Sequence, residues 1–251
     1  MLDYGSLTED RDGPRTIHGQ REWFGLPHEA PLMIPIYGPF GGLLNTACPD
    51  GVLDGKQCQG RPFPMPDSWI RYFLKKDPDF DTRTLTRDDY FKLLHESRQE
   101  WMSVMDSADP HLAPFAAKGG KILHWHGVAD QLIFVNGSSN YYERVRALVP
   151  NVDDFYRYYE VPGVNHCAGG VGHFPTTAFD ALVEWVEKGK APKHLEGEVG
   201  ESKKPICPYP LVAAYKGGDV KLANSFECAE HFGAFGFPKP EAKDDGVKDE
   251  L

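Results

Sequence analysis

The sequence has no block rich in lysine and arginine, and no apolar run approaches the length of a membrane span. Lysine and arginine number 27 against 37 aspartates and glutamates, and the formal net charge is −10. An acidic chain is a poor partner for nucleic acid and for anionic membrane surfaces, and a membrane helix needs about 20 apolar residues in succession. We therefore predict neither a nucleic-acid partner nor a membrane partner.

The first residues also lack the pattern of a signal peptide, because no apolar stretch follows the start at Met1. If the native protein is secreted, we expect its leader to lie outside this sequence. The 251 residues, 41% of them hydrophobic, suffice for one large domain or two small ones.

Cysteine is scarce, and its number is odd. Cys48 and Cys58 are close together among prolines and glycines, which predicts a local disulfide. Cys207 and Cys228 flank a compact segment near the end of the chain, and we predict a second disulfide there. Cys167 is left over, which indicates a free thiol or a bond to another chain. The alternative is a reduced cytosolic protein with unrelated thiols.

Four helices are predicted from helical spacing of apolar side chains and from capping residues. They cover 69–74 after an N-cap at Asp67-Ser68, about 87–105 after Thr86, about 138–148 with Ser138 and Ser139 as N-cap, and about 176–188 before Gly189. The side chains expected to be buried are Tyr90, Leu93, Leu94, Ser97, Trp101, Val104, Met105, Tyr141, Tyr142, Val145, Leu148, Phe179, Leu182, Val183 and Val186. Residues 190–206 are predicted to be a charged linker, and 211–215 a short strand.

Two strand-like runs end in loops that carry an acid and a histidine. The run 121–125 leads to Asp130, the run 155–161 leads through Pro162-Gly163 to His166, and a helix follows each loop. Carboxyl ends of parallel strands meet at one edge of a sheet, where ligands bind. A histidine there can take a proton from a hydroxyl, and a carboxylate can orient it. We predict that Asp130 and His166 approach within about 2.6–3.2 Å.

Three other histidines are rivals for a role in this site. His124 and His126 alternate with Trp125 along a buried strand end, which favours a packing or supporting role. His173 follows the histidine loop and is a candidate for lining a pocket. No HExxH or paired CxxC spacing occurs, so we predict no metal and no cofactor in this chain.

The sequence contains no motif of a serine nucleophile, because neither Gly-x-Ser-x-Gly nor Cys-Ser occurs. The acid and the base of a catalytic triad are thus predicted without the serine, which we expect on a separate segment.

Eight short blocks of sequence are distinctive when taken together. They are Trp69-Ile70-Arg71-Tyr72-Phe73, Lys76-Asp77-Pro78-Asp79-Phe80-Asp81, Gly119-Gly120-Lys121-Ile122-Leu123, His126-Gly127-Val128-Ala129-Asp130-Gln131, Tyr141-Tyr142, Phe155-Tyr156-Arg157, Pro162-Gly163-Val164-Asn165-His166-Cys167 and Cys207-Pro208-Tyr209-Pro210. Through these blocks the chain resembles the tannase and feruloyl esterase family of secreted α/β-hydrolases over about residues 22–230. The Ala-Asp-Gln and His-Cys blocks are the most specific in combination.

The resemblance implies an α/β fold in which this chain is the second half of an α/β-hydrolase. It casts Asp130 as triad acid, His166 as base, and Cys167 as half of a disulfide to the cysteine preceding the serine. Gln131 and His173 are substrate-pocket candidates. The expected partner is an N-terminal half of the enzyme bearing the Cys-Ser nucleophile, and the family's structural calcium is expected in that half.

The implied organisation is a disordered lead at 1–20, a lid-like region at 21–118, a core at 119–192, a disulfide-linked segment at 193–235 and an acidic tail at 236–251. The implied function is hydrolysis of galloyl or feruloyl esters by a Ser-His-Asp mechanism, inactive in this chain alone. The alternative is a non-catalytic fragment that binds a phenolic ligand or a partner. We expect a secreted protein or, from the ending Lys248-Asp249-Glu250-Leu251, one of the ER lumen.

Overall fold

The computed structural model describes residues 13–16, 18–31, 46–48 and 58–230. The predictions for the acidic tail at 236–251, and for most of the lead at 1–20, lie outside these residues. Contacts divide the chain into two compact units. The first unit comprises Met1–Gly120, His126–Val152 and Pro162–Val171, and the second comprises Lys121–Trp125, Asp153–Val161 and Gly172–Leu251.

The first unit is mainly helical. Its strands are β1 (Thr46–Ala47) and β2 (Gln59–Gly60), which pair antiparallel beside the disulfide between Cys48 and Cys58. Its helices are α1 (Pro64–Ser68), a π-helical turn (Trp69–Leu74), a 3-10 turn (Thr82–Thr84), α2 (Arg87–Met105), α3 (Ala113–Ala117) and α4 (Val135–Leu148). The disulfide predicted between Cys48 and Cys58 is confirmed.

The predicted start of the first helix is wrong. Helix α1 begins at Pro64, before Asp67-Ser68, because proline pre-sets the backbone for a first helical turn. The Asp67 carboxylate accepts hydrogen bonds from Arg71 and Thr82 instead of capping a helix.

Helix α2 matches its predicted bounds, but its predicted core face is only partly buried. Thr86 caps it in a reciprocal capping box with Asp89, which confirms the predicted N-cap. Leu93 is the buried residue of the face, whereas Tyr90, Val104 and Met105 are exposed. Trp69 and Phe73 pack against Trp101 of the helix, and the three exposed side chains lie outside this aromatic cluster.

The second unit contains five strands, one helix and the beginning of a sixth strand, β3 (Ile122–Gly127). These five strands and the helix are β4 (Tyr156–Val161), α5 (Ala178–Lys188), β5 (Leu195–Val199), β6 (Ser202–Ile206), β7 (Val212–Tyr215) and β8 (Phe226–Ala229). Strands β7 and β8 pair antiparallel, and the predicted disulfide between Cys207 and Cys228 is confirmed. The core of this unit includes Tyr156, Tyr158, Tyr159, Val161, Trp185, Leu195 and Ile206.

The charged linker predicted over 190–206 is wrong, because β5 and β6 form an antiparallel hairpin there. Leu195 faces Ile206 in the register, and both are buried. Glu196 and Glu198 alternate with the buried positions, and each lies 2.6 Å from the ammonium of Lys203. The high charge of the outward face concealed the alternation that marks a half-buried strand.

Two other helices keep their predicted ends but bury different residues. Helix α5 ends at Gly189, which adopts the left-handed conformation at φ 68°, as predicted. Its buried aromatic residue is Trp185, whereas Phe179 is 75% exposed and Val186 is 60% exposed, so both burial predictions are wrong. In α4 the predicted burial of Tyr142 and Val145 is confirmed, and that of Leu148 is wrong.

Strands β3 and β4 form a sheet and run in the same direction. At their beginnings, the Ile122 amide donates to the carbonyl of Phe155 at 2.7 Å. Past their ends, the Ala129 amide donates to the carbonyl of Val164 at 3.0 Å. The first bond joins the beginnings of the two strands and the second joins the residues past their ends, so the strands are parallel. The loops that follow them therefore lie at the same edge of the sheet. Among the described residues, no helix is both long enough and apolar enough to cross a bilayer.

Candidate active site

The site is built from the two loops that follow β3 and β4, and Gly127 allows those loops to approach. A Cβ at Gly127 would lie 2.2 Å from the carbonyl oxygen of Val164 and 2.8 Å from that of Asn165, closer than any side chain tolerates. The amide of Asp130 donates a hydrogen bond to the carbonyl oxygen of Gly127 at 3.1 Å, which closes the loop that carries the acid. The backbone of the histidine loop therefore lies directly against the acid loop.

Asp130 is a buried carboxylate, 2% exposed, with every oxygen hydrogen-bonded. Its Oδ1 accepts from the amides of Leu132 and Ile133, both at 2.8 Å. Its Oδ2 lies 2.9 Å from Nδ1 of His166, which confirms the predicted approach of the acid to the histidine.

The pKa of Asp130 reflects two opposing effects. Burial would raise the pKa, but hydrogen bonds from His126, His166 and the amides of Ile133 and Leu132 outweigh burial and hold it below its usual value. The carboxylate is therefore ionised at neutral pH and can stabilise a positive charge on a neighbouring imidazole.

His166 is held through its backbone as well as its ring. Its amide donates to Oε1 of Gln131 at 3.1 Å, and Gln131 itself is buried. Glu29 accepts a hydrogen bond from the amide of Gly163 at 3.0 Å, which anchors the start of the same loop. The substrate-pocket role predicted for Gln131 stays a prediction, and the contact present in this structure supports the histidine loop.

Cys167 follows His166 in the left-handed backbone conformation, at φ 59°. Its thiol is exposed and forms no disulfide within the chain, as predicted, and its Sγ lies 3.9 Å from Nε2 of His166. The loop thus presents a thiol beside the ring nitrogen that faces away from Asp130.

His126 also contacts the acid, which the sequence did not indicate beyond a packing or supporting role. Its Nε2 lies 3.0 Å from Oδ2 of Asp130, and its Nδ1 lies 2.8 Å from Oγ of Ser138. The predicted N-cap at Ser138 and Ser139 is wrong, because α4 begins at Val135 and its first turn carries Ser138 toward His126. A separation of four residues across a tight turn was the available signal for the contact between His126 and Asp130.

The other candidate histidines belong to the second unit. Nδ1 of His124 lies 2.8 Å from the hydroxyl of Tyr156. Nε2 of His173 lies 2.9 Å from Oγ of Ser202, and burial, assisted by Lys204, lowers the pKa of His173. The pocket role of His173 stays a prediction.

The arrangement suits proton transfer. A carboxylate at Nδ1 keeps the histidine proton on that nitrogen, so Nε2 is the basic atom of the ring. In the part of the chain that the structure describes, no group of three His, Cys, Asp or Glu side chains is arranged to hold a metal ion.

Comparison with known proteins points to one family. The family model described as tannase and feruloyl esterase matches residues 60–229. A probable feruloyl esterase of Arthroderma benhamiae is 37% identical over 235 residues, which cover 89% of this chain and 41% of the fungal protein. A mono(2-hydroxyethyl) terephthalate hydrolase of Piscinibacter sakaiensis is 36% identical over 180 residues, covering 67% of this chain and 29% of the bacterial protein.

Solved structures agree with the sequence relatives. The tannin acyl hydrolase from Aspergillus niger superposes with a TM-score of 0.74 at 25% identity, covering 90% of this chain and 42% of that one. Feruloyl esterase B from Aspergillus oryzae superposes with a TM-score of 0.65 at 25% identity, covering 90% and 45%. The chain therefore spans less than half the length of each of these relatives.

Proposed function

Because this chain belongs to the tannase and feruloyl esterase family, we propose that it carries the acid and the base of a serine carboxylic ester hydrolase acting on phenolic-acid esters. The observation that carries the proposal is the 2.9 Å contact between Oδ2 of the buried Asp130 and Nδ1 of His166. A contact of this kind fixes the tautomer that a general base needs.

In the proposed reaction, Nε2 of His166 takes the proton of a serine hydroxyl as the serine oxygen attacks the ester carbonyl carbon. The same nitrogen then gives that proton to the departing alcohol, and the acyl group remains on the serine. Water, deprotonated by His166, releases the acid and restores the serine. Asp130 stays ionised throughout, in keeping with its lowered pKa, and stabilises the imidazolium.

We place the nucleophilic serine on a segment outside these 251 residues. The sequence contains neither Gly-x-Ser-x-Gly nor Cys-Ser, and the Arthroderma relative is matched over only 41% of its length. Cys167 is exposed beside the ring of His166. A disulfide from Cys167 to the cysteine preceding the serine would hold nucleophile and base together.

The proposed substrates are galloyl or feruloyl esters. The relatives' names refer to feruloyl, tannin and terephthalate esters, in which the acid is aromatic. Two disulfides in the chain support an extracellular location, because such bonds persist in oxidising surroundings.

The test is hydrolysis of methyl ferulate and methyl gallate by the chain alone and by the chain joined to a segment bearing the Cys-Ser nucleophile. That segment is taken from the gene upstream of Met1 or from the Arthroderma relative. We expect turnover only in the joined protein, and loss of roughly 10⁶ in kcat for His166→Ala, because triad members act as a unit.

The matched control is His111→Ala. His111 also lies 2.9 Å from an aspartate, Asp109, but that pair is exposed on the surface of the same unit. We expect the control to leave kcat unchanged. Brisk hydrolysis by the chain alone that persists in His166→Ala would contradict the proposal, and binding of the ester by the joined protein without turnover would favour a non-catalytic ligand-binding role.

A further inference from the structure

The site contains a second histidine that the proposed reaction does not use. His126 contacts the same carboxylate oxygen as His166, at 3.0 Å against 2.9 Å. Its side chain is only 11% exposed, so water does not compete strongly for this contact. His126 either serves the fold alone or holds the carboxylate for catalysis.

The surroundings of His126 determine which of its ring nitrogens carries the proton. Nε2 lies 3.0 Å from Oδ2 of Asp130 and 2.8 Å from the carbonyl oxygen of Ile133. An ionised carboxylate and a carbonyl only accept hydrogen bonds, so Nε2 must be the donor. Oγ of Ser138 lies 2.8 Å from Nδ1 and can donate its hydroxyl proton to it. Both ring nitrogens of His126 are then anchored by hydrogen bonds.

Four donors surround the Asp130 carboxylate. The amides of Leu132 and Ile133 donate to Oδ1, and the two histidines share Oδ2. A carboxylate offers about four lone-pair positions, so all of its directions are occupied. Any rotation of the carboxylate would break at least one of these bonds in a buried site.

We infer that His126 is a positioning residue, which holds Oδ2 of Asp130 against Nδ1 of His166 and is itself held by Ser138. The inference rests on the proposed function, since the carboxylate needs this alignment only if His166 acts as a base. Without the donor at His126, Oδ2 keeps a single side-chain partner, and only the two amides at Oδ1 and the ring of His166 still orient the carboxylate. A displacement of about 1 Å in such a site lowers the rate roughly 100-fold.

The activity test compares two substitutions of similar length in the joined enzyme. His126→Met removes the donor, and we expect kcat to fall roughly 10- to 100-fold with KM little changed, because the inferred role of His126 is to hold Asp130. His126→Gln places an amide N–H near the former Nε2 and should recover most of kcat. His111→Met, on the exposed surface, is the matched control and should leave kcat unchanged.

A second readout uses the 251-residue chain without any activity. Nitrogen NMR of the histidine rings should show His126 protonated at Nε2 and His166 protonated at Nδ1. His126→Met should shift or broaden the Nδ1 proton signal of His166, and His126→Gln should retain it. If the joined wild-type enzyme hydrolyses no ester while these signals behave as expected, the proposed function fails and the placement of Asp130 by His126 stands.

Wild-type kcat in a folded His126→Met enzyme would overturn the inference, and so would His126 protonated at Nδ1 in the chain. If His126→Met does not fold, Ser138→Ala tests the same arrangement, because it removes the hydroxyl that donates to Nδ1. In Ser138→Ala we expect a fraction of the molecules to carry the His126 proton on Nδ1, and we expect kcat to fall several-fold. An unchanged ring signal together with unchanged kcat would overturn the inference equally.

Discussion

Asp130 shows, at the scale of the residue, how hydrogen bonds stabilise a buried charge. Four hydrogen-bond donors surround it, two from the backbone and two from histidine rings. The native state therefore favours the ionised carboxylate, whereas the unfolded chain has an ordinary aspartate. A difference between the pKa of Asp130 in the folded and unfolded states makes the free energy of unfolding depend on pH.

Because the folded pKa of Asp130 is lowered, its contribution to stability is present above the unfolded pKa of about 3.9 and is lost as pH falls through the folded pKa. We expect the melting temperature of the wild-type chain to fall as pH decreases from about 5 to about 3, and to fall less steeply in Asp130→Asn. Asp109→Asn is the control: the Asp109 carboxylate is exposed, so water screens its interaction with His111. An equally steep fall of the melting temperature with decreasing pH in Asp130→Asn and in the wild type would contradict this prediction.

Helix α5 shows, at the scale of the element, that apolar side chains on one helix can have opposite environments. Trp185 is buried beneath the ammonium of Lys121 and the guanidinium of Arg157, which lie 5.3 and 5.9 Å from its ring centre. Phe179 on the same helix is 75% exposed. Hydrophobic spacing alone does not distinguish them.

We expect Trp185→Ala to lower the free energy of unfolding by about 3–5 kcal/mol, because it removes a large buried ring. Phe179→Ala should change it by less than about 0.5 kcal/mol. Urea unfolding followed by circular dichroism measures both. Equal losses in the two variants would show that Phe179 is covered in solution.

The disulfides act at the scale of the whole molecule, by restricting the unfolded chain. The bond between Cys207 and Cys228 closes a loop with a sequence separation of 21 residues that includes β7 and the start of β8. Closing a loop of this length removes conformational entropy from the unfolded ensemble, and the native state gains in relative stability.

Replacing Cys207 and Cys228 together by serine should lower the free energy of unfolding by about 3 kcal/mol under non-reducing conditions. Cys167→Ser is the matched control, because Cys167 forms no disulfide within the chain and its thiol is exposed. We expect the control to unfold like the wild type. A double variant as stable as the wild type would mean that the bond contributes nothing in solution.

Local patterns in the sequence determined a large part of the site. A strand followed by a polar loop and a helix occurs twice, and this order alone brought Asp130 and His166 together, because parallel strands end at the same edge. Cysteine spacing likewise predicted both disulfides. The Thr86 cap was predicted because few side chains can accept a hydrogen bond from an amide of the first helical turn, and the Gly189 stop because few residues adopt the left-handed backbone conformation.

The tertiary structure alone decided which apolar faces are covered and which polar groups meet. Burial of Trp185 and exposure of Phe179 depend on what packs against α5, and periodicity carries no information about the neighbour. The charged side chains on the outward face of the β5–β6 hairpin led to the prediction of a solvent-exposed linker. Strand pairing depends on the partner strand, which the charge pattern of one segment does not reveal. The contact of His126 with Asp130 required the tight turn after β3 and the early start of α4, because hydrogen bonds between side chains depend on positions in space that sequence spacing does not specify.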